Sequence, residues 1–161
     1  MLFATLSMAE ATDVILTMQG FERCIAESDV FTVDGTFLTV PAGLPVYQLL
    51  IMHGVIAGHF FHPVIILMQN RRRVLYEAVF QRIWQAAGNP RPDQIITDYE
   101  QALRSALTSV TGVEIQDCLF HYLQALMRQA QHLGLLTGAS APVSGMAACT
   151  ALPRAGAAAP A

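Results

Sequence analysis

The sequence predicts one α/β domain built on a mixed sheet, and three observations lead to this prediction. First, 161 residues are enough for one ordinary domain and too few for two. Second, three successive apolar runs with short connections predict a meander of three antiparallel strands. Third, two later short strands alternate with segments of helical periodicity, which predicts parallel strands with helices on the faces of the sheet.

The three strands of the meander are predicted from apolar runs in the first half of the chain. Val30 to Val33 is β-branched and aromatic, and it ends in Asp34-Gly35. Tyr47 to Val55 and Phe61 to Met68 are continuous apolar runs, separated by the turn residues around 57–59. Such runs bounded by Gly and Pro are typical of the central strands of a covered sheet.

The same region has a second interpretation. Val46 to Met68 carries no formal charge and is followed by Arg71, Arg72 and Arg73, which suits a membrane-spanning helix. Three histidines within the span would be costly in lipid, so we favour the two strands. A small membrane protein spanning 46–68 remains the alternative.

The second half of the chain alternates helices with short strands. Arg72 to Ala87 has helical periodicity with Trp84 in its core-facing part, and Gln94 to Thr97 is a short strand. Thr97 and Glu100 have the spacing of a capping box, which predicts that a helix begins there. The apolar face of that helix is Ala102, Leu103, Ala106, Leu107 and Val110.

The last predicted elements are a strand and a helix. Val113 to Ile115 is the strand, and Asp117 is the expected N-cap of a helix from Cys118 to Leu133. The apolar face of this helix is Leu119, Leu123, Leu126, Met127, Ala130 and Leu133.

The two ends of the chain differ in composition from its middle. Residues 1–28 are predicted to be an N-terminal leader, with helical character around Thr12 to Met18. Residues 137–161 are rich in Ala, Gly and Pro and hold too few large apolar side chains to form a core, so we expect a disordered tail. The predicted folded domain is therefore 29–136.

Overall composition excludes some classes of protein. Charged residues make up only 13% and the net charge is −3, so no global basic field indicates nucleic-acid binding. Cys24, Cys118 and Cys149 lie far apart and cannot all pair, which argues against a disulfide framework and for a reducing compartment.

Two aspartates end predicted strands. Asp34 follows the first strand and Asp98 follows the strand Gln94 to Thr97, so their carboxylates would converge if those strands were neighbours. Carboxylate oxygens are the ligands that Mg²⁺ and Mn²⁺ prefer. The alternatives are an ordinary Asp-Gly turn for Asp34 and helix capping for Asp98.

Other candidate residues have weaker patterns. Cys118 and His121 form C-x-x-H, and His132 would be a third ligand, but a structural zinc site needs four, so we predict no stoichiometric zinc. Arg71, Arg72 and Arg73 form either a phosphate-contacting patch or a solvated helix start. The remaining histidines, His53, His59 and His62, are too irregularly spaced to predict a shared ligand face.

Several of these fragments, in this order, resemble the transposase domain of Mutator-like elements (MULE). The resemblance covers residues 29–135. It rests on six segments, which are Asp34-Gly35-Thr36-Phe37 with Pro41, Tyr47 to Gly54, Pro63 to Met68, Tyr76 to Phe80, Ile96 to Leu103, and Cys118 to His121 with its continuation to Leu135.

This resemblance implies a ribonuclease H-like fold and the ancestry of an Asp-Asp-Glu transposase. Asp34 and Asp98 match the first two catalytic acids, which would coordinate Mg²⁺ or Mn²⁺. The implied activity is metal-dependent cleavage and transfer of DNA strands at transposon ends, in the nucleus.

One departure from the family pattern affects the expected activity. The third acid of the family is a Glu downstream of the C-x-x-H segment, whereas this sequence has no Asp or Glu after Asp117. We therefore predict a C-terminally truncated transposase domain that is inactive alone, because two acids offer too few ligands to position two ions. The alternative is a non-catalytic remnant that binds DNA or protein.

Overall fold

A computed structural model of the chain describes residues 2–8, 11–36, 43 and 45–135. The predicted tail at 137–161, Cys149, and the motif residues Phe37 and Pro41 lie outside the described residues. The described elements are seven strands and four helices, in the order β1 (Leu2–Met8), β2 (Ala11–Thr17), α1 (Phe21–Ala26), β3 (Val30–Thr36), β4 (Gln48–Ile56), β5 (His59–Met68), α2 (Arg73–Ala86), β6 (Gln94–Thr97), α3 (Gln101–Thr111), β7 (Ile115–Asp117) and α4 (Leu119–His132).

All seven strands belong to one mixed sheet with the order β1-β2-β5-β4-β3-β6-β7. The strands β3, β4 and β5 form an antiparallel meander, and β6 and β7 then add in parallel on the other side of β3. The prediction of a mixed α/β sheet with a three-strand meander is therefore confirmed. Among the five strands β5-β4-β3-β6-β7 the central one is β3, which has an antiparallel neighbour on one side and a parallel neighbour on the other.

One face of the sheet carries the hydrophobic core. Residues alternate along each strand, so that Phe31 and Val33 of β3 are buried while Thr32 is only partly buried and Asp34 is exposed. A single hydrophobic cluster joins this face to buried side chains of α1, α2 and α3. From α2 these are Leu75, Tyr76, Val79, Phe80, Ile83 and Trp84.

The helical periodicity of α2 and α3 is confirmed. In α3 the buried residues are Leu103, Ala106 and Leu107, with Ala102 and Val110 partly buried against the same cluster. The helix ends at Thr111 because Gly112 adopts a left-handed conformation with φ of 71°.

The N-terminal segment is a strand where a helix was expected. The expectation of helical character around Thr12 to Met18 is wrong, because Ala11–Thr17 pairs with both β1 and β5. Thr12, Val14, Ile15 and Thr17 are β-branched, which favours a pleated conformation over a helix. Residues of the predicted leader thus extend the sheet and, through Phe21 and Ile25 of α1, its core.

The end of the folded part also differs from expectation. The strand predicted at Val113 to Ile115 begins two residues later, at Ile115. Residues 112–114 form the connection from α3, and within it the Val113 backbone N–H donates a hydrogen bond to the Thr111 hydroxyl. Asp117 ends this strand, so it is not the N-cap of the following helix. Its carboxylate instead pairs with Arg104 at 2.8 Å.

The uncharged stretch 46–68 forms β4, a two-residue turn and β5. The turn at 57–58 places both Ala57 and Gly58 at positive φ, 50° and 79°. Among the described residues, no helix is long and apolar enough to cross a membrane. The interpretation of this stretch as two strands is confirmed.

The chain divides into two compact units, of which the first ends at Cys118. The second unit contains α4. This helix begins at Leu119 and ends at His132, one residue inside each predicted boundary.

Candidate site at the ends of two parallel strands

The two candidate aspartates lie at equivalent register positions. Asp34 lies within β3, which continues to Thr36, and it is paired with Ile51 of β4, so the predicted strand end at Val33 and the alternative of an Asp-Gly turn are both wrong. Asp98 directly follows β6. In the parallel pair of β3 and β6, Val33 is paired with Thr97, and the next residues are Asp34 and Asp98. Neighbouring strands lie about 5 Å apart. The expected adjacency of these two strands is therefore confirmed, and their backbones bring Asp34 and Asp98 to the same edge of the sheet.

Asp98 is half-buried and its local geometry is fixed by backbone hydrogen bonds. Its carboxylate accepts the backbone N–H of Glu100 at 3.0 Å, which turns the chain from β6 into α3. The predicted capping box is wrong, because Thr97 is the last residue of β6 and is paired with Val33 of β3. The N-cap residue of α3 is Glu100, and no side chain makes a capping hydrogen bond there.

An arginine that the sequence did not single out holds the ends of two strands together. Arg104 of α3 donates to the carbonyl of Asp98 at 3.3 Å and to the carbonyl of Ile115 at 3.1 Å. Its guanidinium also pairs with Asp117. Arg104 thus positions the backbone that carries Asp98.

A series of side-chain hydrogen bonds connects the core to Glu100, two residues after Asp98. Gln48, at the start of β4, donates its side-chain amide to the hydroxyl of Tyr76. Tyr76 in turn donates to the Glu100 carboxylate at 2.9 Å. The Glu100 carboxylate is thus a third carboxylate close to Asp98 in the sequence. It is held by the Tyr76 hydroxyl of α2, which is in turn held by the Gln48 amide of β4.

The ionisation of Glu100 reflects this setting. Burial raises the pKa of its carboxyl above the usual value, and the charge of Asp98 acts in the same direction. The hydrogen bond from Tyr76 and the charge of Arg71 lower it. Burial also raises the pKa of Tyr76, so its hydroxyl remains a hydrogen-bond donor at neutral pH.

The three consecutive arginines have different surroundings. The Nε of Arg71 lies 3.9 Å from the Glu100 carboxylate, and its guanidinium lies 5.5 Å from the centre of the Tyr47 ring. Arg72 is the N-cap residue of α2, and Arg73 pairs with Glu77 one turn later at 2.7 Å. The structure therefore places Arg71 at the edge of the sheet that carries Asp98.

The C-x-x-H residues lie on either side of the boundary between the two units. Cys118 is a half-buried free thiol whose backbone N–H donates to the carbonyl of Thr97 at 3.0 Å. His121 lies in the first turn of α4 and contacts Phe120 edge-on. Within the described ranges, no group of three or more His, Cys, Asp or Glu residues is arranged to hold a metal ion. That Cys118 and His121 hold no stoichiometric zinc stays a prediction.

Two of the three clustered histidines are in direct contact, contrary to the expectation from their spacing. His53 of β4 and His62 of β5 have ring centroids 4.5 Å apart at an interplanar angle of 79°. His59 lies at the start of β5, beside the turn. The hairpin brings the pair together because its two-residue turn aligns β4 with β5, and a bulge between Met52 and Gly54 then shifts the register.

We expect the folded chain to lose stability as the pH falls from 6.5 towards 4. Burial, with a smaller contribution from His62, lowers the pKa of His53 from 6.5 to about 4. In that window the unfolded chain takes up a proton that folded His53 does not, so acidification favours unfolding. Burial raises the pKa values of Asp13 and Glu100, and these two shifts favour the folded chain on acidification. The contribution of His53 is therefore isolated by comparing wild type with His53→Gln, because both proteins keep the two carboxylates.

The measurement is the free energy of unfolding by urea across this pH range. We expect the difference in stability between wild type and His53→Gln to shrink or reverse on acidification. An identical pH dependence in the two proteins would contradict the lowered pKa of His53.

Comparison with known proteins adds a family assignment to this geometry. A family model described as MULE transposase domain matches residues 30–125. The match covers more than half of the chain and contains β3 to β7, Asp34, Asp98 and the C-x-x-H residues. A search of the curated proteins finds no match.

Proposed function

Because the chain belongs to the MULE transposase domain family, we propose that it is a transposase-derived fragment whose Asp34 and Asp98 bind a divalent cation. The observation that carries this proposal is the register of β3 and β6, in which these two residues follow the last paired positions. Family ancestry suggests the use of a divalent metal. Two carboxylates on adjacent strands are a donor set suited to one hard cation such as Mg²⁺ or Mn²⁺.

We further propose that the fold is ribonuclease H-like. The strand order β5-β4-β3-β6-β7, with an antiparallel meander followed by two parallel strands, supports this assignment. In this proposal β1 and β2 are additions to the outer edge of the meander. The ancestral reaction is then the cleavage and transfer of DNA strands.

The residues around Asp98 have defined roles in this proposal. Asp34 and Asp98 hold the cation, while the Glu100 amide and Arg104 orient Asp98. A bound Mg²⁺ or Mn²⁺ would supply charge stabilisation to a phosphodiester and lower the pKa of a water ligand. Arg71, beside Glu100, is suited to contact a phosphate of the DNA.

We propose that this chain alone does not cut DNA. Asp117 is its last carboxylate residue, and the sequence therefore offers no acid in the region where the family pattern has its Glu. Two carboxylates suffice for weak binding of one ion. Strand transfer by two ions demands a more complete and more rigid ligand set.

The first experiment measures Mn²⁺ binding by electron paramagnetic resonance. We expect weak binding to the wild-type chain and a loss of at least about tenfold in affinity in Asp34→Asn and in Asp98→Asn, equivalent to about 1.4 kcal/mol. Asp29→Asn is the matched control, because exposed Asp29 immediately precedes the opposite end of β3 and the change in charge is the same. Equal binding by all four proteins would refute the site.

Cleavage is assayed separately, on labelled duplex DNA with Mg²⁺ or Mn²⁺. We expect no product from the wild-type chain. Cutting that disappears in Asp34→Asn would refute the proposed inactivity and support the site as catalytic. Cutting that persists in Asp34→Asn would indicate a contaminating nuclease.

DNA binding without cleavage is the second candidate function, and the position of Arg71 beside Glu100, two residues from Asp98 in the sequence, favours it. We expect replacement of Arg71, Arg72 and Arg73 by Gln to weaken binding to duplex DNA and to reduce its salt dependence by up to about three charges. Arg23→Gln on α1, whose arginine pairs with Glu27, is the control. Binding unaffected by the triple change would contradict this role.

A nuclear location belongs to the same proposal, since DNA would be found there.

A further inference from the structure

The His53–His62 pair is a second place where metal-binding side chains meet, on β4 and β5. The two Nδ1 atoms face each other at 2.5 Å across β4 and β5. His53 is half-buried and His62 is exposed, so one side of the pair is open to water. No step of the proposed function uses these two residues.

The positions of the two rings follow from the backbone. In the hairpin, Gly54 is paired with Phe61 and Ile56 with His59, and the bulge leaves His53 beside His62. Both side chains lie on the face of the sheet opposite to the buried residues Met52 and Val64. The pair is therefore fixed by strand register, and neither residue sits on a long loop.

Two facing imidazole nitrogens have two chemical explanations. One ring can donate its N–H to the lone pair of the other, or both lone pairs can converge on one cation. Bonds of about 2.0–2.1 Å from zinc to nitrogen in a tetrahedral arrangement place the two nitrogens about 3.3 Å apart. For a cation to bind both nitrogens, the exposed His62 ring would have to turn so that the 2.5 Å separation widens to about 3.3 Å.

We propose that His53 and His62 form a two-histidine site for a transition-metal ion of the Zn²⁺ or Ni²⁺ type, with water completing the coordination. Neutral imidazole is a preferred ligand of these ions, whereas Mg²⁺ prefers oxygen. The site therefore differs in metal class from the carboxylate pair at Asp34 and Asp98. It does not depend on the proposed transposase function.

The lowered pKa of His53 is compatible with this site. At pH 7 its ring is neutral, so it can bind a cation without first losing a proton.

The neighbouring strand β3 lies beside the pair. Thr32 of β3 is paired with His53, and Asp34 lies two residues further along β3 on the same face. A diagonal neighbour of this kind is about 7–8 Å away.

The test is calorimetric titration of the full chain with ZnCl₂ and with NiCl₂ at pH 7. We expect saturable binding of one ion, and a loss of at least about tenfold in affinity in both His53→Ala and His62→Ala. His59→Ala is the control, because it removes a histidine from the same hairpin outside the contacting pair. Circular dichroism verifies that each variant is folded, and the exposed position of His62 provides a variant that removes little packing.

Two further arms locate the bound ion. Excess Mg²⁺ is expected to leave the Zn²⁺ affinity within about twofold of wild type, a change of only about 0.4 kcal/mol. Cys118→Ser is expected to do the same. Binding that is lost in Cys118→Ser but retained without His53 and His62 would overturn the proposal, as would the absence of saturable binding to the wild-type chain.

Discussion

Replacing Trp84 with alanine is expected to destabilise the fold by about 3–5 kcal/mol. Only 2% of its surface is exposed, its ring packs edge-on against Phe31 at 5.5 Å, and its indole N–H donates to the Pro90 carbonyl at 3.0 Å. The substitution removes the largest buried side chain that connects α2 to the central strand β3. A domain with a total stability of about 5–15 kcal/mol would lose a large share of it.

Urea unfolding followed by circular dichroism measures this effect. Val74→Ala, on the exposed side of the same helix, is the matched control and is expected to change stability by no more than about 0.5 kcal/mol. A loss of less than about 1 kcal/mol in Trp84→Ala would contradict the central position of this side chain, because even an average point mutation costs that much.

Replacing Tyr76 with phenylalanine is expected to cost about 1–3 kcal/mol, although it removes a single oxygen atom. The Tyr76 hydroxyl accepts from Gln48 and donates to Glu100, so its loss leaves a buried amide without this acceptor and a carboxylate without this donor. The remaining hydrogen bond of the amide, to the Met68 sulfur at 3.6 Å, is a weak one.

The same change is expected to raise the pKa of Glu100 further, because the hydrogen bond from Tyr76 lowers it in the wild-type chain. Carbon-detected NMR titration of the Glu side chains measures this pKa, and urea unfolding measures the stability. Tyr122→Phe makes the same chemical change at an exposed position of α4 and is expected to alter neither quantity. An unchanged Glu100 pKa in Tyr76→Phe would show that the hydroxyl does not support this carboxylate.

Local sequence patterns predicted the elements whose hydrophobic period is long and regular. The helical face of α2, with Leu75, Val79 and Ile83, and the apolar runs of β4 and β5 were placed to within two residues at most of their ends. The strand β2 was missed because it is stabilised in part by pairing with β5, whose residues lie 47 to 53 positions further along the chain and do not enter a local pattern. The shift of β7 has a similar cause, since Arg104 of α3 holds Ile115 and Asp117.

The candidate site divides in the same way. Asp34 and Asp98 could be proposed from sequence because each follows a recognisable apolar run, although β3 continues through Asp34 to Thr36. Glu100 was assigned to a capping box, since the T-x-x-E pattern is local, whereas the contact with Tyr76 joins residues 24 positions apart. The pairing of His53 with His62 was accessible from sequence, because counting outward from the two-residue turn at 57–58 sets these residues opposite each other.

The position of β3 between one antiparallel and one parallel neighbour also has a consequence for the order in which the chain folds. Val33 meets Met52 after 19 residues but meets Thr97 only after 64. Closing the longer loop costs about 1 kcal/mol more entropy, and such long-range pairing slows folding. The meander that carries Asp34 can therefore form early, while Asp98 arrives with the later docking of β6. During synthesis, the nascent chain holds the first of these carboxylates for more than sixty codons before the second exists.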